Sequence, residues 1–241
     1  MNFMKYNGMN LGATELALGI NYLQEEASNI TFPFLSTNLT SEKEYPFLKQ
    51  VVIKDVGGFR VAILGAMPVN AIKPLNDIEN KTKLKVLPPI QAIKERMSEL
   101  KKTSDFIVLL SQLPQDQLKG LLNEVDGIDL VISCHHPGKA ALTISKKISS
   151  VTIEPGGLEI GYLKIEKDDK GHTKIIEEKK VILDKSVPRD EIVMERIEKN
   201  YVLKIREAKD LERKKQIDKE ARQLWELTPD EYLNRMHEKG K

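Results

Sequence analysis

The sequence lacks several features that would point directly to a function. A single cysteine excludes an internal disulfide framework and a Cys-x-x-Cys-His haem attachment site. No apolar run is long enough to cross a bilayer, and the N-terminal segment lacks the basic region and apolar core of a signal peptide. Neither a Gly-x-Gly-x-x-Gly nor a Gly-x-x-x-x-Gly-Lys-Ser/Thr run is present, so a phosphate cradle for a nucleotide is not supported. The net charge of +2 gives no global support for nucleic-acid binding.

The composition is that of a soluble globular protein with a polar surface, because 31% of the residues are charged and 40% are hydrophobic. A chain of 241 residues has room for one large domain with an extension. We predict a domain over residues 1–185 and a charged helical extension over residues 186–241. We expect a cytoplasmic location by default, and an exported one if the N-terminus is truncated.

The middle of the chain predicts two buried strands joined by a helix. The strands are Phe106–Leu110 and Leu130–Ile132, and between them Leu118, Leu121, Leu122 and Val125 recur at helical spacing. Continuous apolar strands separated by a helix are typical of a parallel sheet covered on both faces. Ligands of such sheets bind in the loops beyond the carboxyl ends of the strands. Here those loops contain Ser111-Gln112 and residues 133–137.

Further elements are predicted on either side of this stretch. Gly12–Glu25 has the periodicity of one helix, and Gly57-Gly58 between two apolar runs indicates a β-hairpin. After the central stretch, three more strands are predicted at Ala141–Ile153, Leu158–Glu166 and Lys174–Leu183. Antiparallel strands added to a parallel core predict a mixed sheet or a two-sheet sandwich.

The C-terminal part predicts helices. Apolar residues recur every three or four positions from Val193 to Leu211, which indicates a long amphipathic helix from Asp190 to about Trp225. The pattern lapses at residues 213–215 and resumes at Ile217, so a long regular coiled coil is not predicted. Thr228-Pro229 combines an N-cap residue with a proline at the first helical position, so a second, shorter helix is predicted there.

Several segments occur in an order that is similar to one family. They are Gly12-Ala13-Thr14-Glu15, Leu109-Leu110-Ser111-Gln112-Leu113, Gly127–Pro137 and Pro155–Leu163. These resemble the Gly-Asn-His-Glu, Leu-Ser-His-Leu and Gly-His-x-His segments and the closing strand of calcineurin-like metallophosphoesterases of the 5′-nucleotidase type. The resemblance implies an α/β fold that is a partial, metallophosphoesterase-like mixed β-sandwich flanked by helices, here with a C-terminal helical extension.

The family's chemistry, as the resemblance implies it, needs side chains that this chain has replaced. Such enzymes hold two metal ions with Asp, Asn and His ligands, and a bridging hydroxide attacks phosphorus. At the matched positions the metal-binding Asn is Ala13, the catalytic His is Thr14, and the ligand of the Leu-Ser-His segment is Gln112. The family's opening Asp-x-His and Gly-Asp segments would lie before Met1.

The last matched loop keeps part of its pattern. Cys134 stands at the family's glycine and Pro137 at its second histidine, so His135 alone is matched as a ligand. Cys134, His135 and His136 follow one another after a strand, which is a reasonable place for a metal or redox centre. Because consecutive side chains point in different directions, we favour a buried cysteine and two histidines near solvent.

Two functions of different classes follow. The first is a degenerate, non-catalytic phosphoesterase-like protein without a cofactor. It would act in a homo-oligomer or hetero-complex through its C-terminal helices and an exposed sheet edge. The alternative is a metal-dependent phosphoester hydrolase, 5′-nucleotidase-like, which is completed by a partner chain and uses Mn, Fe or Zn. Neither nucleic acid nor a transmembrane segment is expected in either case.

Overall fold

The computed structural model describes residues 2–71, 84–133, 148–152, 159–168, 173–199, 205, 209–216 and 219. The chain divides into two compact units, Met1–Leu183 and Asp184–Lys241. The first unit contains every strand described below, and the second contains helical segments.

The secondary structure begins with a short 3-10 turn at Asn2–Met4. The strands are β1 (Met9–Asn10), β2 (Phe34–Leu35), β3 (Leu39–Ser41), β4 (Leu48–Lys49), β5 (Val51–Val56), β6 (Phe59–Ala66), β7 (Leu84–Val86), β8 (Phe106–Ser111), β9 (Leu130–Ser133), β10 (Ser149–Thr152), β11 (Glu159–Lys167) and β12 (Thr173–Ile182). The helices are α1 (Ala13–Ala17), α2 (Ile20–Asn29), α3 (Pro89–Thr103), α4 (Gln115–Glu124) and α5 (Glu191–Ile197).

A five-stranded mixed sheet forms the centre of the first unit. Its strand order is β10-β9-β8-β6-β5, in which only β5 is antiparallel to its neighbour. The β5–β6 hairpin turns at Gly57 and Gly58, whose φ angles of 57° and 86° suit glycine in a tight two-residue turn. The predicted hairpin and the predicted parallel strands of the central stretch are confirmed.

Both faces of this sheet are covered. On one face, α3 and α4 pack against the sheet through apolar side chains that include Ile93, Leu109 and Leu118. On the other face, the antiparallel β11–β12 hairpin places Leu163, Ile165 and Ile175 against a cluster around Phe106. The predicted mixed β-sandwich flanked by helices is therefore confirmed.

A second core lies beside the sandwich. The short parallel strands β1, β2 and β4 form a three-stranded sheet, and β3 pairs with β7. Leu11, Leu16 and Leu23 contribute to its apolar cluster together with residues of these strands. The backbone links the two cores, because Thr37 N donates to Gly65 O at 2.8 Å.

The prediction of a single helix over Gly12–Glu25 is wrong. The structure has two helices there, α1 and α2, with Gly19 between them. Gly19 has a φ of +92°, a conformation that L side chains rarely adopt and that ends α1. The apolar periodicity continues across the break because Leu16, Ile20 and Leu23 still face the same core.

Only parts of the predicted C-terminal helix lie within the described residues. Helix α5 is capped by Asp190, whose Oδ1 accepts from the backbone N–H groups of Ile192 and Val193 at 3.0 Å. Residues 209–216 are also helical. The predicted helix at Thr228-Pro229 and most of the predicted strand at Ala141–Ile153 lie outside the described residues. No helix in the described part of the chain could span a membrane.

Candidate functional site

The candidate site lies where the parallel strands of the five-stranded sheet end. The register pairs Ala66 with Ser111 and Ser111 with Ser133, so β6, β8 and β9 end level with one another. Gln112 follows β8 directly, and its backbone N–H donates to Ala66 O at 2.9 Å. The predicted ligand position is therefore held at the carboxyl-end edge of the sheet.

Gln112 lies against the segment that contains the other two predicted positions. Its side-chain amide packs on the backbone of Gly12, so closely that a Cβ added there would lie 2.6 Å from Nε2 and 2.7 Å from Cδ. The φ of Gly12 is −133°, which any residue can adopt, so a side chain at this position would be opposed by the Gln112 amide and not by the backbone conformation. Gln112 thus shares one junction with the segment that carries Ala13 and Thr14.

Helix α1 is short and begins at this junction. Gly12 is its N-cap residue, and the Gly12 N–H donates to Glu15 Oε2 at 2.9 Å. The side chain of Leu16 is fully buried and anchors the helix on the second core. Ala13 is half-buried and Thr14 is exposed. Thr14 is thus the second residue of the helix and not its N-cap.

A further residue of the junction, Asn10, was missed at the sequence level. Its Nδ2 donates to Leu110 O at 3.2 Å, while its Oδ1 is buried and has no hydrogen-bond partner among the described residues. The side chain passes close to Gly65, where an added Cβ would lie 3.1 Å from Asn10 Cγ. An asparagine at the end of a two-residue strand carries no periodic signal, so only the fold reveals this contact.

The polar run after β2 supplies buried neutral groups. Asn38 is fully buried, and its amide donates to Met67 O at 2.8 Å and Leu87 O at 2.9 Å while accepting from Met67 N at 3.0 Å. Thr37 Oγ1 donates to Gln50 O at 2.6 Å and accepts from Gly65 N at 3.0 Å. These side chains therefore join strands to one another and have little left to offer a ligand.

The carboxylates with shifted pKa values in the first unit lie at the opposite, amino-terminal end of the strands. Asp129 Oδ2 accepts from Ile107 N at 2.7 Å, and burial raises the pKa of Asp129. Asp105 Oδ2 accepts from Arg60 N at 2.8 Å. This hydrogen bond, together with a second one from the Lys167 ammonium, lowers the pKa of Asp105. Both groups have structural roles at the strand starts.

Comparisons with known proteins point in one direction. No family model matches the chain. It is 27% identical over 218 residues to the 5′-nucleotidase of Mus musculus, covering 79% of this chain and 37% of that protein. It is 22% identical over 225 residues to Protein 5NUC of Lutzomyia longipalpis, covering 83% of this chain and 39% of the relative. The chain thus spans less than two fifths of the length of these relatives.

Solved structures agree on the fold. The calcineurin-like phosphoesterase YfkN from Bacillus subtilis superposes with a TM-score of 0.66 at 20% identity, over 83% of this chain and 70% of that chain. The 5′-nucleotidase precursor from Thermus thermophilus superposes with a TM-score of 0.63 at 20% identity, over 79% of this chain and 42% of that chain. This chain has the calcineurin-like phosphoesterase fold. The resemblance to the 5′-nucleotidase type is confirmed.

The residues described at the site do not fit the metal ions of a calcineurin-like phosphoesterase. In the expected ligand set an amide stands beside carboxylate and imidazole ligands, whereas Gln112, Asn10 and Thr14 offer amide and hydroxyl groups alone. Within the described ranges, no group of three or more His, Cys, Asp or Glu side chains could hold an ion. Cys134, His135 and His136 lie outside the described residues, so their assignment stays a prediction.

Proposed function

We propose that this protein is a non-catalytic member of the phosphoesterase fold that works through protein–protein interaction, as a subunit or scaffold of an oligomer or complex. We also propose that it needs no cofactor and that it works in the cytoplasm. The observation that carries the proposal is the junction of Gln112 with the Gly12 backbone, at the edge of the sheet where the fold's ligands bind.

The chemistry of this junction argues against metal-dependent hydrolysis. A neutral amide has a low affinity for a transition ion, and Ala13 has no donor at all. An ion that activates water also needs open coordination positions held by several protein ligands. At the matched positions, Ala13 and Gln112 replace ligands from two separate parts of such a site, and Thr14 replaces the catalytic histidine.

The second unit supplies the argument for interaction. Helix α5 has no buried residue, and Ile197, on the predicted apolar face, is 42% exposed. Ile205 and Leu211, further along the predicted amphipathic helix, are 52% and 54% exposed. Large apolar side chains that recur on one side of a helix are stabilised when a partner covers them. We therefore propose that these helices contact a second copy or another chain.

Metal content and hydrolysis test the catalytic part of the proposal. We expect the purified full chain to contain less than about 0.1 equivalent of Mn, Fe or Zn and to show no turnover of nucleoside monophosphates or p-nitrophenyl phosphate, with or without added Mn²⁺. Stoichiometric metal with turnover would refute it. Turnover that appears only with a copurifying polypeptide would instead establish the alternative, a 5′-nucleotidase-like hydrolase completed by a partner chain.

The proposed protein–protein interaction is tested by the mass of the protein in solution and by one pair of variants. Sedimentation equilibrium of the full chain should give a mass above that of one chain, and Leu211→Glu should reduce it. Gln216→Glu is the matched control, because it adds the same charge at a polar position of the same helical segment and should leave the mass unchanged. A monomeric wild type, with no bound protein that Leu211→Glu releases, would contradict the proposal.

A further inference from the structure

The disagreement between the site and its expected ions raises the question of what holds the junction together. Three segments meet there: the N-terminus of α1, the end of β6 and the loop after β8. The Gln112 N–H donates to Ala66 O at 2.9 Å, and Asn10 Nδ2 donates to Leu110 O at 3.2 Å. The Gln112 amide fills the space above Gly12. All of these contacts are neutral.

We propose that the Gln112 side chain is the structural link of this junction, so that packing and backbone hydrogen bonds join segments that need no bridging ion. A methyl group at residue 12 would displace the Gln112 amide, although the backbone conformation of residue 12 would accept one. The inference rests on the proposed function in one respect, namely that a metal does not occupy this place.

Thermal unfolding of the wild-type chain gives the first test. Protein treated with EDTA and protein supplied with Mn²⁺ or Zn²⁺ should unfold at the same Tm within about 1 °C, because ligands that bind only the folded state would raise Tm. A fall in Tm on chelation that either ion reverses would overturn the inference. This measurement needs no variant and no activity, so it can fail while the proposed lack of catalysis stands, and the reverse also holds.

A double-mutant cycle tests the contact itself. Gln112→Ala should lower Tm by about 2–4 °C, the shift expected for roughly 1 kcal/mol in a protein of this size. Gly12→Ala should lower Tm in the wild type by displacing the amide, but should have little effect in the Gln112→Ala background, where the methyl group finds space. Gln91→Ala, on the exposed surface of α3, is the control and should leave Tm unchanged. Equal effects of Gly12→Ala in both backgrounds would refute the contact.

Discussion

Lys167 and Asp105 join the two layers of the sandwich at one end, with Lys167 Nζ 2.9 Å from Asp105 Oδ1. Thr173 Oγ1 adds a second link by donating to the carbonyl of Asp105 at 2.9 Å. Lys167 at the end of β11 and Thr173 at the start of β12 thus fix the covering hairpin to Asp105, the residue just before β8. The Asp105 carboxylate also accepts from Arg60 N, so it contacts both β6 and β11.

The first prediction concerns the pH dependence of this link. The folded state holds the pKa of Asp105 below its usual value of 3.8. A lowered carboxyl pKa stabilises the fold at pH values above 3.8, and this contribution is lost as the pH falls through the folded pKa. Asp105→Asn should therefore reduce stability at pH 7, and its difference from wild type should disappear in acid. Urea unfolding from pH 7 to about pH 2.5 measures this. A difference that is constant across the range would contradict it.

Asp129 should behave in the opposite way. Burial raises its pKa, so the charged form costs stability above its unfolded pKa, and protonation relieves this cost as the pH falls. Asp129→Asn keeps an acceptor for Ile107 N and should be neutral or stabilising at pH 7. Asp129→Ala leaves that N–H unpaired and should cost about 1–2 kcal/mol. Chemical denaturation gives the free energy of unfolding of the two variants. Equal losses of stability in both would show that the charge of Asp129 itself is needed.

Asn38 should be among the most sensitive polar positions of the fold. Replacing it by alanine leaves the N–H and carbonyl of Met67 and the carbonyl of Leu87 without their partners inside the core. We expect a loss of about 3 kcal/mol, because several buried backbone groups become unsatisfied. Asn2→Ala, which removes hydrogen bonds at the surface, is the control and should cost less than about 1 kcal/mol. Similar losses in the two variants by urea unfolding would count against the proposed role.

Replacing two glycines by alanine should change the stability of the protein in opposite directions. Gly19 has open space around it but a φ of +92°, so Gly19→Ala should destabilise the protein by about 1 kcal/mol through backbone strain. Gly120 lies inside α4, also with open space, and has no positive φ. Gly120→Ala should therefore stabilise the protein by about 0.5–1 kcal/mol. Differential scanning calorimetry of both variants measures these changes. A Gly19→Ala variant that is more stable than the wild type would show that the fold does not need the positive φ at this position.

The amino-acid sequence by itself determined the elements with strong periodicity. The apolar runs of β6, β8 and β9 predict strands buried on both faces, because consecutive side chains of a strand point to opposite faces of its sheet. The helical spacing in α3 and α4 specifies one buried face, and Gly57-Gly58 specifies the hairpin. The sequence also places Ala13, Thr14 and Gln112 where the resemblance implies a metal-binding Asn, a catalytic His and a second metal ligand.

Tertiary structure alone decided how these pieces meet. The break at Gly19 depends on a positive φ, which periodicity does not register because both helices face one core. The contact between Gln112 and Gly12 joins residues one hundred positions apart in the chain, and it exists only because α1 and the end of β8 reach the same edge of the sheet. Asn10 and Asn38 acquire their roles in the same way, since a buried amide is defined by the backbone groups that surround it and not by its neighbours in sequence.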